Sequence, residues 1–181
     1  MGKSTAAQIL AGRGAAVVDT DQLARQLTGP GQPALAEIQK SFGGQFIAPD
    51  GQLRRDELAR LVFADAAARQ KLEAILHPRI RSHWRAQVET WRDEGRRTAV
   101  VVIPLLFETA AEAQFDKIIC LACSAATQRE RLQARGWSPE EIARRNSAQW
   151  PVEKKMERAH HVIWTEGGVA ALAEQLARVI G

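Results

Sequence analysis

The chain has 181 residues, 45% of them hydrophobic and 25% charged, with a formal net charge of +4. That length allows one domain with a proper core and small inserted subdomains. No apolar run approaches the roughly 18 residues of a membrane span, and Met1-Gly2-Lys3-Ser4-Thr5 leads into a mixed helical pattern rather than an apolar signal segment. The chain therefore reads as cytoplasmic, with no membrane partner. The basic excess is local: residues 124–160 hold eight Lys/Arg against five acids, so that stretch carries +3 of the +4. A compact cationic patch with few aromatics suits a polyphosphate ligand at least as well as a nucleic-acid backbone.

The first element is Gly2-Lys3-Ser4-Thr5, followed by helical spacing through Ala6, Ala7, Ile9 and Leu10 and closed by Gly12 and Gly14. A phosphate-binding loop has the form G-x-x-x-x-G-K-[ST] between a strand and a helix. Its backbone N–H groups cradle phosphates, its Lys reaches the β/γ-phosphates and its hydroxyl binds Mg²⁺. The second half of that pattern is present here, with Met1 at the last variable position. An expectation follows that the natural protein is longer by roughly a dozen residues, and that the chain as given binds ATP poorly.

Next, Ala16-Val17-Val18-Asp19 reads as a buried strand, and Asp19-Thr20-Asp21 ends it. Carboxylates at the C-terminal end of a strand stand where open α/β sheets place ligands. There a carboxylate can orient an attacking hydroxyl, accept its proton and help hold Mg²⁺ through water. The alternative is that Asp21 only N-caps a helix beginning at Gln22.

From Gly29 to about Arg97 the pattern is almost all helical, broken at Gly29-Pro30-Gly31, Gly43-Gly44, Pro49-Asp50-Gly51 and His77-Pro78. It reads as an inserted helical subdomain that binds substrate. His77 is either a ligand-binding residue or the N-cap of a helix opened by Pro78.

A second buried strand, Ala99–Ile103, runs into Pro104-Leu105-Leu106-Phe107-Glu108. Pro104 ends the strand, and Glu108 is either an acidic group near metal or substrate or a solvated loop carboxylate. Lys117–Ala122 is the third strand. Cys120 and Cys123 fall on or beside it and read as core thiols, because no second Cys/His pair stands at zinc spacing.

Arg129, Arg131 and Arg135 follow. A small insertion spans about 133–156, with Ser138 as N-cap, Pro139 at the first helical position and Glu141 three residues on. A mobile Arg-bearing lid can close over ATP and neutralise a transferring phosphoryl group, and Arg135 is the favoured lid arginine. The last strand is His161–Trp164, like the other three a nearly continuous apolar run of the kind buried on both faces. Strands alternating with helices imply a parallel sheet with helices on both faces.

Taken together the segments resemble dephospho-CoA kinase. They are GKST at 2–5, DTDQLAR at 19–25, PGQPAL at 30–35, DGQLRR at 50–55, LHPRI at 76–80, PLLFE at 104–108 and RLQAR at 131–135. The resemblance spans essentially the whole chain. It implies an α/β fold, a P-loop NTPase-type parallel sheet flanked by helices, with the first central strand missing. It implies a kinase core at 1–28 and 98–181, a lid at about 133–156 and a helical CoA-binding insertion at 29–97.

The resemblance also implies transfer of the ATP γ-phosphate to the 3′-hydroxyl of dephospho-CoA, with Mg²⁺. Asp21 would be the base, with Asp19 supporting. Gly2, Lys3, Ser4, Thr5 and Arg135 would hold ATP, Ser4 also the metal, and Arg25, His77, Arg79 and Glu108 the acceptor. The expected state is a monomer or weak homo-oligomer with no nucleic-acid partner. Another small-molecule kinase of the same fold ranks second, and a non-catalytic or nucleic-acid-binding protein is a rival of another class. Where the family pattern reads A-D-x-V-I-x-N near the last strand, this chain departs, with His160 and Thr165 in place of Asp and Asn.

Overall fold

The computed structural model describes residues 2–180. In chain order the elements are α1 (Lys3–Gly12), β1 (Ala16–Asp19), α2 (Thr20–Leu27), α3 (Pro33–Phe42), α4 (Arg55–Ala64), α5 (Ala66–Asp93) and β2 (Ala99–Val102). Then come β3 (Ile119–Ala122), α6 (Ala125–Gln133), α7 (Pro139–Ser147), α8 (Val152–Arg158), β4 (His161–Trp164) and α9 (Val169–Ile180). The chain divides into two compact units, Ala16–Ile103 and Met1–Ala15 with Pro104–Gly181.

In the first of these, β1 and β2 pair in parallel with Ala16 opposite Ala99 and Asp19 opposite Val102. Helices α2 and α5 pack on β1, and α5 also packs on β2. The core gathers Ala34 and Ile38 of α3, Leu58 and Val62 of α4 and Ile75 of α5, with Phe42, Phe46 and Leu53 against them. Ile38 is wholly buried, which removes a side chain worth roughly 1.5–3 kcal/mol from water. The PGQPAL and DGQLRR segments serve this core. Pro33 starts α3 at its first turn and leaves Ala34 and Leu35 buried. Gly51, at φ +80°, closes a turn that brings Ile47 and Leu53 into an antiparallel bridge.

Helix α5 corrects one expectation. It runs for 28 residues straight through Pro78, so His77 lies inside a helix and caps nothing. Proline removes the N–H that Ala74 C=O would accept, but Ala74 and Pro78 are both exposed, so water can serve that carbonyl.

In the other unit, β3 and β4 pair in parallel, with Ile119 opposite His161 and Ala122 opposite Trp164. Helix α1 buries Ala6 and Leu10 at i, i+4 spacing and packs on α9, which buries Leu172 and Leu176. Helix α9 covers β4, and α8 packs on β3. The parallel strands flanked by helices are thus present as two ribbons. Among the described residues each strand has one hydrogen-bonded neighbour. Strand β4 also differs from the double-sided burial expected of it: Ile163 is 2% exposed, while Val162 and Trp164 are 37% and 47% exposed. The outward backbone edge of β4 is bracketed by Gln175 of α9, whose Oε1 accepts the Trp164 N–H at 3.3 Å and whose Nε2 donates to the Trp164 carbonyl at 3.1 Å.

Candidate active site

The N-terminus of α1 has no side-chain cap. Gly2 occupies its N-cap position at φ +91°, and its carbonyl accepts the Ala6 N–H at 2.9 Å. Lys3 and Ser4 are exposed in the first turn. The first amides of a helix have no intrahelical acceptor and carry the positive end of its dipole, so this turn offers N–H donors, the Lys3 ammonium and the hydroxyls of Ser4 and Thr5 to an anion. Gly2 is required twice over. A Cβ there would sit 3.2 Å from Cγ2 of Thr165, and φ +91° is strained for any other residue.

A divalent metal has few protein donors to use. Among the described residues no three His, Cys, Asp or Glu side chains gather into a metal site. A hydroxyl such as Ser4 at an uncapped helix N-terminus fits Mg²⁺, which keeps several waters and takes its other ligands from substrate phosphates.

In the Asp19-Thr20-Asp21 segment the three residues divide the work. Asp19 is the N-cap of α2, its Oδ1 accepting the Asp21 N–H at 2.8 Å and the Gln22 N–H at 3.3 Å. Thr20 is buried, its hydroxyl donating to the Val102 carbonyl at 3.0 Å. Asp21 is exposed in the first turn. The alternative in which Asp21 itself caps a helix starting at Gln22 is therefore corrected: the helix starts two residues earlier, at Thr20, and Asp19 caps it.

The same unit carries the other acceptor-side expectations. Arg79 donates Nη1 to the Ile75 carbonyl at 2.6 Å and Nη2 to Glu37 Oε2 at 2.5 Å, which ties α5 to α3. His77, Pro78, Arg81, Ser82 and Arg85 line a cleft of about 430 Å³. His77 is half-buried, and burial holds its imidazole below its ordinary value; Glu73 opposes that shift and Arg81 adds to it. Arg25 is exposed on α2, and Arg55 donates Nη2 to the Arg25 carbonyl at 3.0 Å. Burial first, and then the like charge of Arg25, lowers the Arg55 value. Arg55, Arg81 and Arg85 are candidates that the motif reading passed over. Their signal was there, since Arg55 ends DGQLRR and Arg81 and Arg85 follow His77 at i+4 and i+8.

In the other unit Glu108 is enclosed. Its Oε1 lies 2.7 Å from Lys155 Nζ, with both side chains 14% exposed, and accepts the Trp150 N–H at 2.9 Å. The neighbouring Phe107 ring stacks on Trp150 with centroids 6.1 Å apart. Lys3 and Lys155 both lie within electrostatic reach of Cys120, whose thiol is pushed up by burial and pulled back by those two ammonium groups.

Arg131 and Arg135 have separate tasks. Helix α6 ends at Gln133, so the two do not share one helix face. Arg131 donates Nη1 to Thr165 Oγ1 at 3.2 Å and Nη2 to the Thr165 carbonyl at 2.6 Å. Arg135 is exposed in the turn before α7, without an ion pair among the described residues. Ser138 caps α7 as expected, accepting the Glu141 N–H at 3.2 Å. The two departures in the last motif keep local bonding intact: His160 Nδ1 accepts the Ile118 N–H at 2.9 Å, and Thr165 Oγ1 donates to the Ala122 carbonyl at 3.1 Å.

These motifs, in this order, can be set beside known proteins. The family model for dephospho-CoA kinase matches residues 1–171. A dephospho-CoA kinase from Anaeromyxobacter dehalogenans is 43% identical over 180 residues, covering 99% of this chain and 85% of that one. The chain belongs to the dephospho-CoA kinase family. Its fold agrees with that membership. The crystal structure of TT1252 from Thermus thermophilus superposes with a TM-score of 0.81 at 34% identity, covering 98% of this chain and 90% of that one. A dephospho-CoA kinase from Campylobacter jejuni superposes with a TM-score of 0.70 at 25% identity, covering 99% and 90%. The fold is therefore the P-loop NTPase type, and the chain is an ATP-using kinase of this family.

Proposed function

We propose that the chain transfers the γ-phosphate of ATP to the 3′-hydroxyl of dephospho-CoA, giving CoA and ADP. The observation that carries this reading is family similarity across the whole chain, from the Gly2-Lys3-Ser4-Thr5 turn to α9. The uncapped first turn of α1, with the exposed Lys3 ammonium, supports it as a phosphate cradle. In this reading the amides of Gly2, Lys3, Ser4 and Thr5 bind phosphate oxygens. Lys3 neutralises charge on the β/γ-phosphates, and Arg135 closes on them from its exposed turn. Ser4 is the side chain that would hold Mg²⁺, which when bound neutralises developing charge on the phosphates.

Asp21 takes the proton of the attacking 3′-hydroxyl, a role suited to an exposed carboxylate whose backbone Asp19 fixes. Arg25 meets the negative groups of the acceptor with Arg55 beside it. His77, neutral near pH 7, and Glu108 contact its uncharged parts. Arg79 acts on the acceptor through the α3–α5 alignment it holds. Localisation in the cytoplasm and a monomeric or weakly associating state complete the reading; among the described residues no helix is long and apolar enough to cross a membrane.

The test is direct. The full chain with ATP, Mg²⁺ and dephospho-CoA should release ADP in proportion to CoA formed. ADP release independent of dephospho-CoA, or none at saturating ATP, sinks the reading.

A further inference from the structure

Lys155 of α8 spans the Pro104-Leu105-Leu106-Phe107-Glu108 segment. Its ammonium lies 2.7 Å from Glu108 Oε1 and donates to the Pro104 carbonyl at 3.5 Å, so one side chain touches both ends of the pentapeptide. The Trp150 N–H also donates to Oε1, leaving that oxygen doubly held. The other carboxylate oxygen, Glu108 Oε2, is buried and has no hydrogen-bond partner among the described residues. A carboxylate oxygen desolvated in this way costs free energy until a donor reaches it. A nearby second pair, Arg158 with Glu112 at 2.7 Å, also leaves one oxygen unmet. There, however, the side chains are 48% and 25% exposed, against 14% for both partners of the Glu108 pair. Helix α8, which carries Lys155, packs on β3.

We propose that Lys155 is a positioning residue for the acceptor substrate: it fixes the Glu108 carboxylate through Oε1 and leaves Oε2 to accept from a neutral O–H or N–H of dephospho-CoA. This rests on the reading of Glu108 as an acceptor-side residue. An ionised carboxylate only accepts hydrogen bonds, so the group it takes is a hydroxyl or amide donor and not a phosphate, whose charge it repels. Without Lys155 the carboxylate would lose the cation that orients it and keep only the Trp150 N–H on Oε1, so its hold on the direction of Oε2 would loosen.

Steady-state kinetics with both substrates, together with calorimetric binding of dephospho-CoA and thermal melts, test this on three variants. Lys155→Met should raise the KM for dephospho-CoA by about ten-fold or more, as expected for one misdirected charge-assisted bond, while the KM for ATP stays unchanged. Lys155→Arg should restore most of the acceptor KM. The double variant Lys155→Met/Glu108→Gln buries no unpaired charge, so its melting midpoint should return towards that of the wild type while its acceptor KM stays raised. A double variant with wild-type acceptor KM, or an ATP KM that rises in step with the acceptor KM, overturns the assignment and leaves the pair a structural strut. A wild-type chain that neither binds nor phosphorylates dephospho-CoA overturns the functional reading itself, and that outcome is seen before any variant is made.

Discussion

The Asp19 carboxylate accepts the Asp21 backbone N–H at 2.8 Å, so one acid of the pair fixes the main chain that carries the other. The two acids should therefore fail in different ways. Asp19→Ala removes an N-cap worth about 1 kcal/mol, which in a chain of this size lowers the melting midpoint by roughly 2–4 °C. Asp19→Asn keeps the cap and should keep the midpoint. Asp21→Asn should leave the midpoint alone and lower kcat by roughly 10²–10⁴, with ATP affinity intact by titration. An Asp21→Asn enzyme retaining most of its rate would show that this carboxylate is not the base.

His77 links stability to pH. Its imidazole is held below its ordinary value of 6.5, chiefly by burial, so the folded chain binds this proton less readily than the unfolded chain. Stability from this site is full above that ordinary value and falls as pH drops below it. Urea midpoints at pH 7.5 and pH 5.5 should differ more for the wild type than for His77→Gln. Equal pH dependence in the two proteins would dismiss His77 as a source of acid sensitivity.

Gly2 tests the phosphate cradle separately from the acceptor. Gly2→Ala meets Thr165 Cγ2 at 3.2 Å and must hold φ +91°, a left-handed conformation costing roughly 1–2 kcal/mol. The first turn of α1 should shift to relieve this. The measurement is the KM for ATP, which should rise several-fold while dephospho-CoA binding in the absence of ATP is unchanged.

Arg131 and Arg135 should separate stability from rate. Arg131→Met deletes both bonds to Thr165, and hydrogen bonds from a charged donor are worth about 1.5–3 kcal/mol, so the thermal midpoint should fall. Arg135→Ala removes an exposed side chain and should leave the midpoint within about 1 °C, with the loss confined to kcat and the ATP KM. A melting scan of the two variants beside their kinetics decides the assignment.

Much of this was legible in the residues. Four apolar runs marked the four strands of the described residues to within two residues, because parallel strands are short and apolar, although β4 is buried on one face only. Ser138-Pro139 announced α7 by cap chemistry alone. What was not legible depended on contacts distant in sequence. The His77-Pro78 pair reads locally as a helix start, but α5 continues because the carbonyl left without its N–H partner lies on an exposed face. Glu108 reads either as an acid near metal or substrate or as a solvated loop carboxylate, and only the fold, which encloses it, brings Lys155, 47 positions later in the numbering, to 2.7 Å from it. PGQPAL and DGQLRR identify the family strongly, yet most of their residues build turns and core.

The Gln175 bracket on Trp164 has a consequence for behaviour in concentrated solution. Strand β4 shows an outward row with Val162 and Trp164 exposed, the kind of surface on which a foreign strand can nucleate pairing. Gln175 occupies both the donor and the acceptor of Trp164, the more exposed of these two residues. A primary amide on a neighbouring helix thus does work at β4 usually left to an edge lysine or a bulge, and should lower the tendency of that strand to pair with a foreign one.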